Sequence, residues 1–154
     1  MIKIYVPTIE ELSFRQTLLS DEKTMSYNHR YGGTISFPKE NWKDWFDHWI
    51  VHHDNKRFYA YVLNESDEYV GEIAYHYDED YKGHIANVII LDKYRHRGYG
   101  GEALDVLCSI AKDHGIVTIL DNMVNDNPAY NLFLRHGFKE LFREEDIIML
   151  KKDL

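Results

Sequence analysis

Two arginines and three closely spaced glycines lie together in the segment Arg95–Gly101. An apolar, β-branched run that ends at Leu91 precedes the segment, and a helix-forming stretch follows it. Glycines let a backbone approach a ligand without interference from Cβ atoms, and the free N–H groups at a helix N-terminus attract anions. Arg95 and Arg97 add fixed positive charge at the same place. The types and spacing of these residues therefore predict a phosphate-binding turn.

Three kinds of glycine-rich turn are candidates. The triphosphate-binding pattern G-x-x-x-x-G-K-[ST] is absent from the sequence. The dinucleotide-binding pattern is partly matched, because Gly98, Gly100 and Ala103 fit G-x-G-x-x-A and Asp121 lies near the position of a ribose-binding acid. However, six residues separate Leu91 from Gly98, and the 33 residues after Asp121 are too few for the rest of a dinucleotide-binding domain.

The third kind is an Arg-x-x-Gly-x-Gly turn between a strand and a helix, and here the chain resembles the GNAT superfamily of acetyl-CoA-dependent N-acetyltransferases. The segment Arg95–Gly100 and the helix Glu102–His114 are similar to that family's pyrophosphate-binding motif. A second segment, Asn127–Phe138, is similar to the family's late helix ending in Gly-Phe. The resemblance implies an α/β fold with a central, mostly antiparallel mixed sheet, splayed at the CoA site, and helices on both faces.

The resemblance also implies acetyl-CoA as the cofactor. Backbone groups of the strand before the turn would contact pantetheine and the thioester carbonyl, and an N–H near Ile90 would stabilise the oxyanion formed during acyl transfer. Backbone amides of the turn would hold the pyrophosphate. The expected cofactor-binding residues are Val88, Ile89, Ile90, Leu91, Arg95, His96, Arg97, Gly98, Tyr99, Gly100, Gly101 and Asn127. For Asn127, a helix-capping role is also expected and is compatible with a cofactor contact.

Acyl transfer to an amine requires two proton transfers. An amine with a pKa of about 10 is mostly protonated at neutral pH, so a base assists its attack. Glu72 and His84 are the two candidates for this base. Glu72 lies on the strand before the glycine-turn strand, and His84 lies at a position where members of the family often carry an acid. The competing interpretations are a solvated strand carboxylate and an incidental histidine.

The leaving thiolate also takes up a proton. Aligned on Gly137-Phe138, the tyrosine that serves as general acid in many members of the family corresponds to Phe133, which has no proton to give. Tyr130 lies three residues earlier, where it could share the same helix face, and is the first candidate for the acid. Another tyrosine, or water, is the alternative.

The acceptor site is predicted in a polar, aromatic stretch between the first two helices. Its expected substrate-binding residues are Tyr27, Asn28, His29, Arg30 and Tyr31. A structured loop without substrate contacts is the competing interpretation. His48 and His52 are four residues apart, a spacing that a metal site can use, but a polar helix end is the commoner explanation. No metal is predicted.

These residues are to be positioned by seven strands and four helices. Alternating or continuous apolar runs predict strands at Ile2–Val6, Arg57–Leu63, Tyr69–Tyr77, His84–Leu91, Val117–Met123, Phe138–Phe142 and Ile147–Leu150. Helices are predicted from a capping box at Thr8 to about Ser20, from Pro38, from Glu102 to His114, and from Asn127 to His136. The aromatic residues of the second helix recur at helical spacing, which is typical of packing.

Length and composition predict one domain, residues 1–154. With a net charge of −8 and no run of Lys or Arg, the chain is not expected to bind nucleic acid or a membrane. A single cysteine, Cys108, excludes an intrachain disulfide, and the N-terminus lacks the features of a signal peptide, so a cytoplasmic location is expected. The net negative charge of the chain favours a small cationic acceptor.

The sequence therefore predicts a transferase that moves an acetyl group from acetyl-CoA to a primary amine of a small molecule, by direct attack in a ternary complex. Two alternatives stay open: a peptide or amino-acid N-acetyltransferase, and a catalytically silent acyl-CoA-binding module, which Phe133 would favour. Because relatives often pair through sheet edges or late strands, the resemblance also makes a homodimer an expectation.

Overall fold

The computed structural model describes the whole chain, Met1–Leu154, and its β-branched and aromatic runs form one sheet. The strands are β1 (Lys3–Tyr5), β2 (Arg57–Leu63), β3 (Tyr69–Asp78), β4 (Gly83–Ile90), β5 (Thr118–Val124), β6 (Lys139–Arg143) and β7 (Ile147–Asp153). Their order across the sheet is β1-β2-β3-β4-β5-β7-β6. Every neighbouring pair is antiparallel except β4 and β5, which are parallel. The predicted mixed, mostly antiparallel sheet is confirmed.

Four α-helices accompany the sheet: α1 (Ser13–Ser20), α2 (Trp42–Phe46), α3 (Tyr99–Asp113) and α4 (Tyr130–Arg135). Short 3-10 turns precede α1 at Ile9–Leu12 and α2 at Lys39–Asn41, and a π-helical turn, Asp47–Val51, extends α2. The capping box predicted at Thr8 is present, since its N–H and its hydroxyl both donate to the Glu11 carboxylate, at 2.8 and 2.9 Å.

The helices lie on both faces of the sheet, as predicted. Successive residues of a strand point to opposite faces, and Phe58 and Tyr59 of β2 show the two environments. The Phe58 ring packs against His114 at the end of α3, with ring centroids 5.8 Å apart. The Tyr59 ring packs edge-on against Trp45 of α2, at 4.7 Å. The aromatic residues of α2 therefore pack against the sheet, as their spacing predicts.

The sheet is open between β4 and β5. These strands pair only at His84 with Ile119 and at Ile85 with Leu120, although β4 continues to Ile90 and β5 to Val124. Beyond Ile85 the two strands diverge, which leaves backbone N–H and C=O groups without a partner strand. This is the splay that the family resemblance implies.

One helix begins later than predicted. The helix predicted from Asn127 starts at Tyr130, because the Asn127 side-chain oxygen accepts the N–H of Ala129 at 2.8 Å and its carbonyl accepts the N–H of Tyr130 at 3.2 Å. This turn holds Asn127–Ala129 outside the α-helix. The stretch predicted as polar loop also differs in detail, because Thr24–Tyr31 forms 3-10 helix that a left-handed Gly32 ends.

Candidate active site

The gap between β4 and β5 opens into a cleft of about 860 Å³. Its walls are formed by β3, β4 and β5, by the glycine turn and α4, and by Tyr27 of the Thr24–Tyr31 stretch. The predicted cofactor-binding residues that line it are Val88, Ile89, Ile90, Arg95, His96, Gly98, Tyr99, Gly100, Gly101 and Asn127. Leu91 and Arg97, also predicted, do not line the cleft.

The backbone of β4 presents hydrogen-bonding groups to the gap. The N–H of Leu91 donates to the Val70 carbonyl on the β3 side, at 2.8 Å. Because these groups alternate along a strand, the N–H groups of Val88 and Ile90 point the other way, toward the gap. No strand pairs with them there. These are donors that a carbonyl oxygen lying in the cleft can use.

The turn before α3 exposes its backbone to an anion at Gly98. His96 and Gly98 both have left-handed conformations, with φ of 63° and 87°, which turns successive N–H groups to one side. A Cβ atom on Gly98 would meet nothing within 4 Å. The 15-residue helix α3 follows directly, and its first-turn N–H groups have no partner within the helix. The geometry of the turn therefore suits a diphosphate.

The two arginines of the turn have different environments. The Arg95 guanidinium donates to the carbonyl of Ile90 at 3.0 Å and to that of Thr24 at 2.9 Å. Arg95 therefore joins the end of β4 to the Thr24–Tyr31 stretch. Arg97 is exposed, and its guanidinium lies 5.7 Å from the ring centroid of Tyr94. Of the two, Arg97 has the side chain more available to an anion in solution.

Glu72 is a carboxylate held inside the cleft. Its side chain is 2% exposed, and it accepts hydrogen bonds from the Tyr59 hydroxyl at 2.7 Å and the Asn87 amide at 2.9 Å. The Arg15 Nε atom lies 3.6 Å from its Oε1 atom. These three contacts hold the carboxylate at the wall of the cleft.

His84, the other predicted base, lies elsewhere. In the pairing of β3 with β4, Glu72 stands opposite Ile89 and His84 stands opposite Tyr77, so Glu72 and His84 point to opposite faces of the sheet. The His84 ring packs edge-on against Tyr75 and Tyr77 and does not line the cleft. Burial, with a smaller contribution from His76, lowers its pKa. The structure thus brings Glu72 to the cleft and leaves His84 outside it.

Phe133 and Tyr130 also differ in their position, since only Phe133 lines the cleft. The Phe133 ring is buried, lines the cleft and packs edge-on against Phe138, with centroids 5.0 Å apart. Tyr130 does not line the cleft. Its hydroxyl donates to Glu140 of β6 at 2.9 Å, and this hydrogen bond is the main reason that its pKa is raised. The predicted acid candidate is therefore directed toward β6.

Of the five predicted substrate-binding residues, only Tyr27 lines the cleft. Burial, followed by the charge of Glu72, raises the pKa of Tyr27 to about 12. The other four lie outside. Asn28 donates to the Gly33 carbonyl at 2.8 Å, and Tyr31 is 68% exposed.

His29 and Arg30 connect the Thr24–Tyr31 stretch to the far side of the cleft. His29 lies 3.0 Å from the Asp126 carboxylate, and Arg30 donates to Asp146 at 2.6 Å and to Asn125 at 3.1 Å. Asn125 and Asp126 directly follow β5, and Asp146 lies in the turn between β6 and β7. The two residues predicted to bind substrate thus span the strands on either side of the gap and help to hold the stretch across it.

Several cleft residues were not predicted as site residues: Arg15, Trp45, Trp49, Tyr59, His76 and Asp121. His76 follows Glu72 by four residues on the same strand face, and this alternation could have identified it. Burial lowers the pKa of His76. Arg15 stacks over the rings of Phe37 and Trp45, at 4.5 and 4.4 Å from their centroids, a contact that no pattern in the sequence predicts.

No group of three or more His, Cys, Asp or Glu side chains is arranged to hold a metal ion. None of the helices combines the length and the apolar character that crossing a membrane requires. Cys108 lies on α3, away from the cleft, and burial raises the pKa of its thiol.

The fold is shared with solved N-acetyltransferases. A PaiA N-acetyltransferase from Thermoplasma acidophilum in complex with coenzyme A aligns with a TM-score of 0.74 at 15% identity, over 100% of this chain and 99% of that one. An acetyltransferase (GNAT family) from Bacillus anthracis aligns with a TM-score of 0.77 at 16% identity, over 99% and 94%. A spermidine N-acetyltransferase from Vibrio cholerae in complex with CoA and spermine aligns with a TM-score of 0.75 at 17% identity, over 97% and 94%.

A sequence model of the acetyltransferase (GNAT) family matches residues 16–138, and the chain belongs to this family. A comparison with curated protein sequences gives no match. Family membership confirms the predicted fold, the predicted acyltransferase activity and acetyl-CoA as the cofactor.

Proposed function

We propose that the protein transfers the acetyl group of acetyl-CoA directly to the primary amine of a small, cationic molecule. The observation that carries this proposal is the cleft itself. One end presents the open β4 backbone and the glycine turn, and the other presents a buried carboxylate among aromatic rings. The two substrates would therefore meet at the gap between β4 and β5.

The donor end is supported by groups of three kinds. The N–H groups of the turn and of the first turn of α3 would hold the diphosphate, with Arg97 adding positive charge. The β4 backbone beyond Ile85 would contact the pantetheine arm. The N–H of Ile90, which points into the gap, would stabilise negative charge on the thioester oxygen. Bound acetyl-CoA supplies the activated acyl group.

The base that we propose is Glu72. A carboxylate held by Tyr59, Asn87 and Arg15 stays in one place while an ammonium group approaches. It can take a proton from the amine directly or through one water molecule. His84 has no comparable access, because it lies on the other face of the sheet.

The acceptor end favours a primary amine that carries positive charge. Trp49 and Tyr59 line this end with aromatic faces, and such faces attract ammonium groups. Arg15 offsets the charge of Glu72 and already occupies the face of Trp45. Arg15 lies over the rings of Trp45 and Tyr59, whereas the rings of Trp49 and Tyr27 carry no guanidinium.

The test is an acceptor panel with acetyl-CoA, in which release of the free CoA thiol is followed. The panel holds polyamines, aminoglycosides, uncharged primary amines, amino acids and peptides. We expect the highest kcat/KM among the small cationic amines. Turnover confined to peptides, amino acids or uncharged amines would contradict the acceptor class. Tight CoA binding with no thiol release for any amine would instead support a silent acyl-CoA-binding module.

A further inference from the structure

Asp121 is a buried carboxyl group that has no role in the proposed acetyl transfer as described so far. It lies on β5, directly after Leu120, the last residue of β5 that pairs with β4. It is therefore at the apex of the gap, and it lines the cleft while being only 8% exposed. Its carboxyl group has no hydrogen bond or ion pair within the protein, and burial is the sole cause of its raised pKa. In its protonated form, a carboxyl group at this place can donate a proton into the gap.

The surroundings of Asp121 contain no charge close enough to neutralise a carboxylate. Its neighbour on β7 is the buried Leu150. The side of β4 that faces the gap carries no charged residue between Ile85 and Leu91. The ionisable or charged side chains that line the cleft from other elements are Arg15, Tyr27, Tyr59, Glu72, His76, Asp92, Tyr94, Arg95, His96, Tyr99 and Arg135.

The cleft offers few other proton donors for a leaving thiolate. Phe133 has none, and the Tyr130 hydroxyl is directed to Glu140. The hydroxyls of Tyr59, Tyr94 and Tyr99 donate to carboxylates, those of Glu72, Glu68 and Glu65 respectively. Tyr27 lines the cleft, but its pKa is raised to about 12. A typical thiol has a pKa of about 8.5, so proton transfer from Tyr27 would be unfavourable by roughly three to four powers of ten.

We propose that Asp121 is the general acid that protonates the departing CoA thiolate. The role rests on the proposed acetyl transfer. As the N–C bond to the amine forms, the C–S bond of the thioester breaks, and the thiolate takes the proton from Asp121. The Asp121 carboxylate then receives the proton that the acylated nitrogen loses. One amine and one thioester thus give one amide and one thiol, and Asp121 ends in its starting state.

The first test asks whether Asp121 carries a proton, and it needs no substrate. In the unfolded chain an aspartate ionises near pH 3.9, whereas native Asp121 keeps its proton to higher pH, so the native state binds more protons and its stability falls as pH rises. We expect the unfolding free energy of the wild type to fall relative to that of Asp121→Asn as the pH rises above about 4. The infrared difference spectrum should contain the C=O band of a protonated carboxyl group. The control is Asp113→Asn, the same change at an exposed position outside the cleft.

The second test is kinetic, with both substrates saturating. Asp121→Asn should lower kcat about 100-fold or more, the usual range for losing a general acid, with the Kd for acetyl-CoA nearly unchanged. The kcat of the wild type should decline at high pH as Asp121 ionises, and the variant should lack this decline.

Three results would overturn the proposal: a stability difference that is constant with pH, an unchanged kcat, or a higher acceptor KM as the only kinetic effect. Loss of the high-pH decline in Tyr130→Phe but not in Asp121→Asn would assign the proton to Tyr130. If the wild type transfers no acetyl group to any amine, the proposed function fails, and the acid role fails with it. The unfolding and infrared measurements report the proton on Asp121 in every case.

Discussion

Replacing Arg95 and Arg97 separately with methionine should give opposite results, although the residues are two apart in one turn. Methionine removes the charge and the hydrogen bonds while keeping an unbranched side chain. Arg95 makes two hydrogen bonds to backbone carbonyls, at 2.9 and 3.0 Å, and its side chain is 28% exposed. Arg97 is exposed and makes only a ring contact with Tyr94, at 5.7 Å.

The expected magnitudes follow from these contacts. Hydrogen bonds from a charged group contribute about 1.5–3 kcal/mol each when buried, and partial exposure of Arg95 reduces the pair to about 2–4 kcal/mol. Its ion pair with Asp92, at 3.7 Å and half-exposed, adds less than about 1 kcal/mol. For Arg97, an exposed ring contact contributes about 0.5–1 kcal/mol. Loss of a charge beside a bound diphosphate should raise the Kd for CoA about fivefold, which corresponds to roughly 1 kcal/mol.

Urea unfolding and titration calorimetry with CoA measure the two effects. Arg95→Met should lose about 2–4 kcal/mol of unfolding free energy, and Arg97→Met less than about 1 kcal/mol. Arg97→Met should weaken CoA binding at low salt, and added salt should reduce the difference from wild type. An Arg95→Met variant as stable as wild type, or an Arg97→Met variant with unchanged CoA affinity, would refute the division of roles.

Three further predictions concern the sheet. In Gly71→Ala the new Cβ atom would lie 2.2 Å from the Ile89 carbonyl oxygen, so the variant should lose at least about 1–3 kcal/mol of unfolding free energy. Gly100→Ala is the control in the same assay, because its closest new contact is at 3.5 Å, and it should be as stable as the wild type. Glu72→Gln leaves Arg15 without its carboxylate, so the variant should lose about 2–4 kcal/mol of unfolding free energy. Its kcat should also fall far more than that of His84→Ala. Equal decreases in kcat would contradict the assignment of Glu72 as the base. Burial lowers the pKa values of His76 and His84, so the unfolded state binds more protons than the native state below about pH 6.5. The unfolding free energy should therefore fall as the pH is lowered through that range. The double variant His76→Gln/His84→Gln should show a weaker pH dependence, and an unchanged slope would contradict this prediction.

Local patterns were sufficient to predict most of the framework. The seven strands lie within three residues of their predicted ends, because alternation and turn residues are local properties. The glycine turn was likewise recognisable, since left-handed conformations and an open helix N-terminus depend on the residues at that place. The start of α4 was predicted three residues early, because an asparagine followed by proline is also a good start for a turn.

The chemistry of the cleft depends on tertiary structure, and there the sequence was less informative. The composition of β5 does not show that its pairing with β4 stops at Leu120, and only that divergence turns Asp121 from a core residue into a cleft residue. Tyr130 and Phe133 have helical spacing, yet the Tyr130 hydroxyl is held by Glu140 on a strand that follows later in the chain. Glu72 and His84 were equivalent as candidates until the register of β3 and β4 placed them on opposite faces.

The most direct test of direct transfer is a single-turnover experiment with acetyl-CoA labelled in its acetyl group, mixed with protein in excess and a small cationic amine. Mass spectrometry of the amine, the CoA and the intact protein follows the label. The account predicts that the label passes to the amine as the CoA thiol appears, while the protein, including the buried Cys108, stays unlabelled at every time point. Label on the protein before it reaches the amine, or label that never leaves CoA, would contradict direct transfer in the cleft.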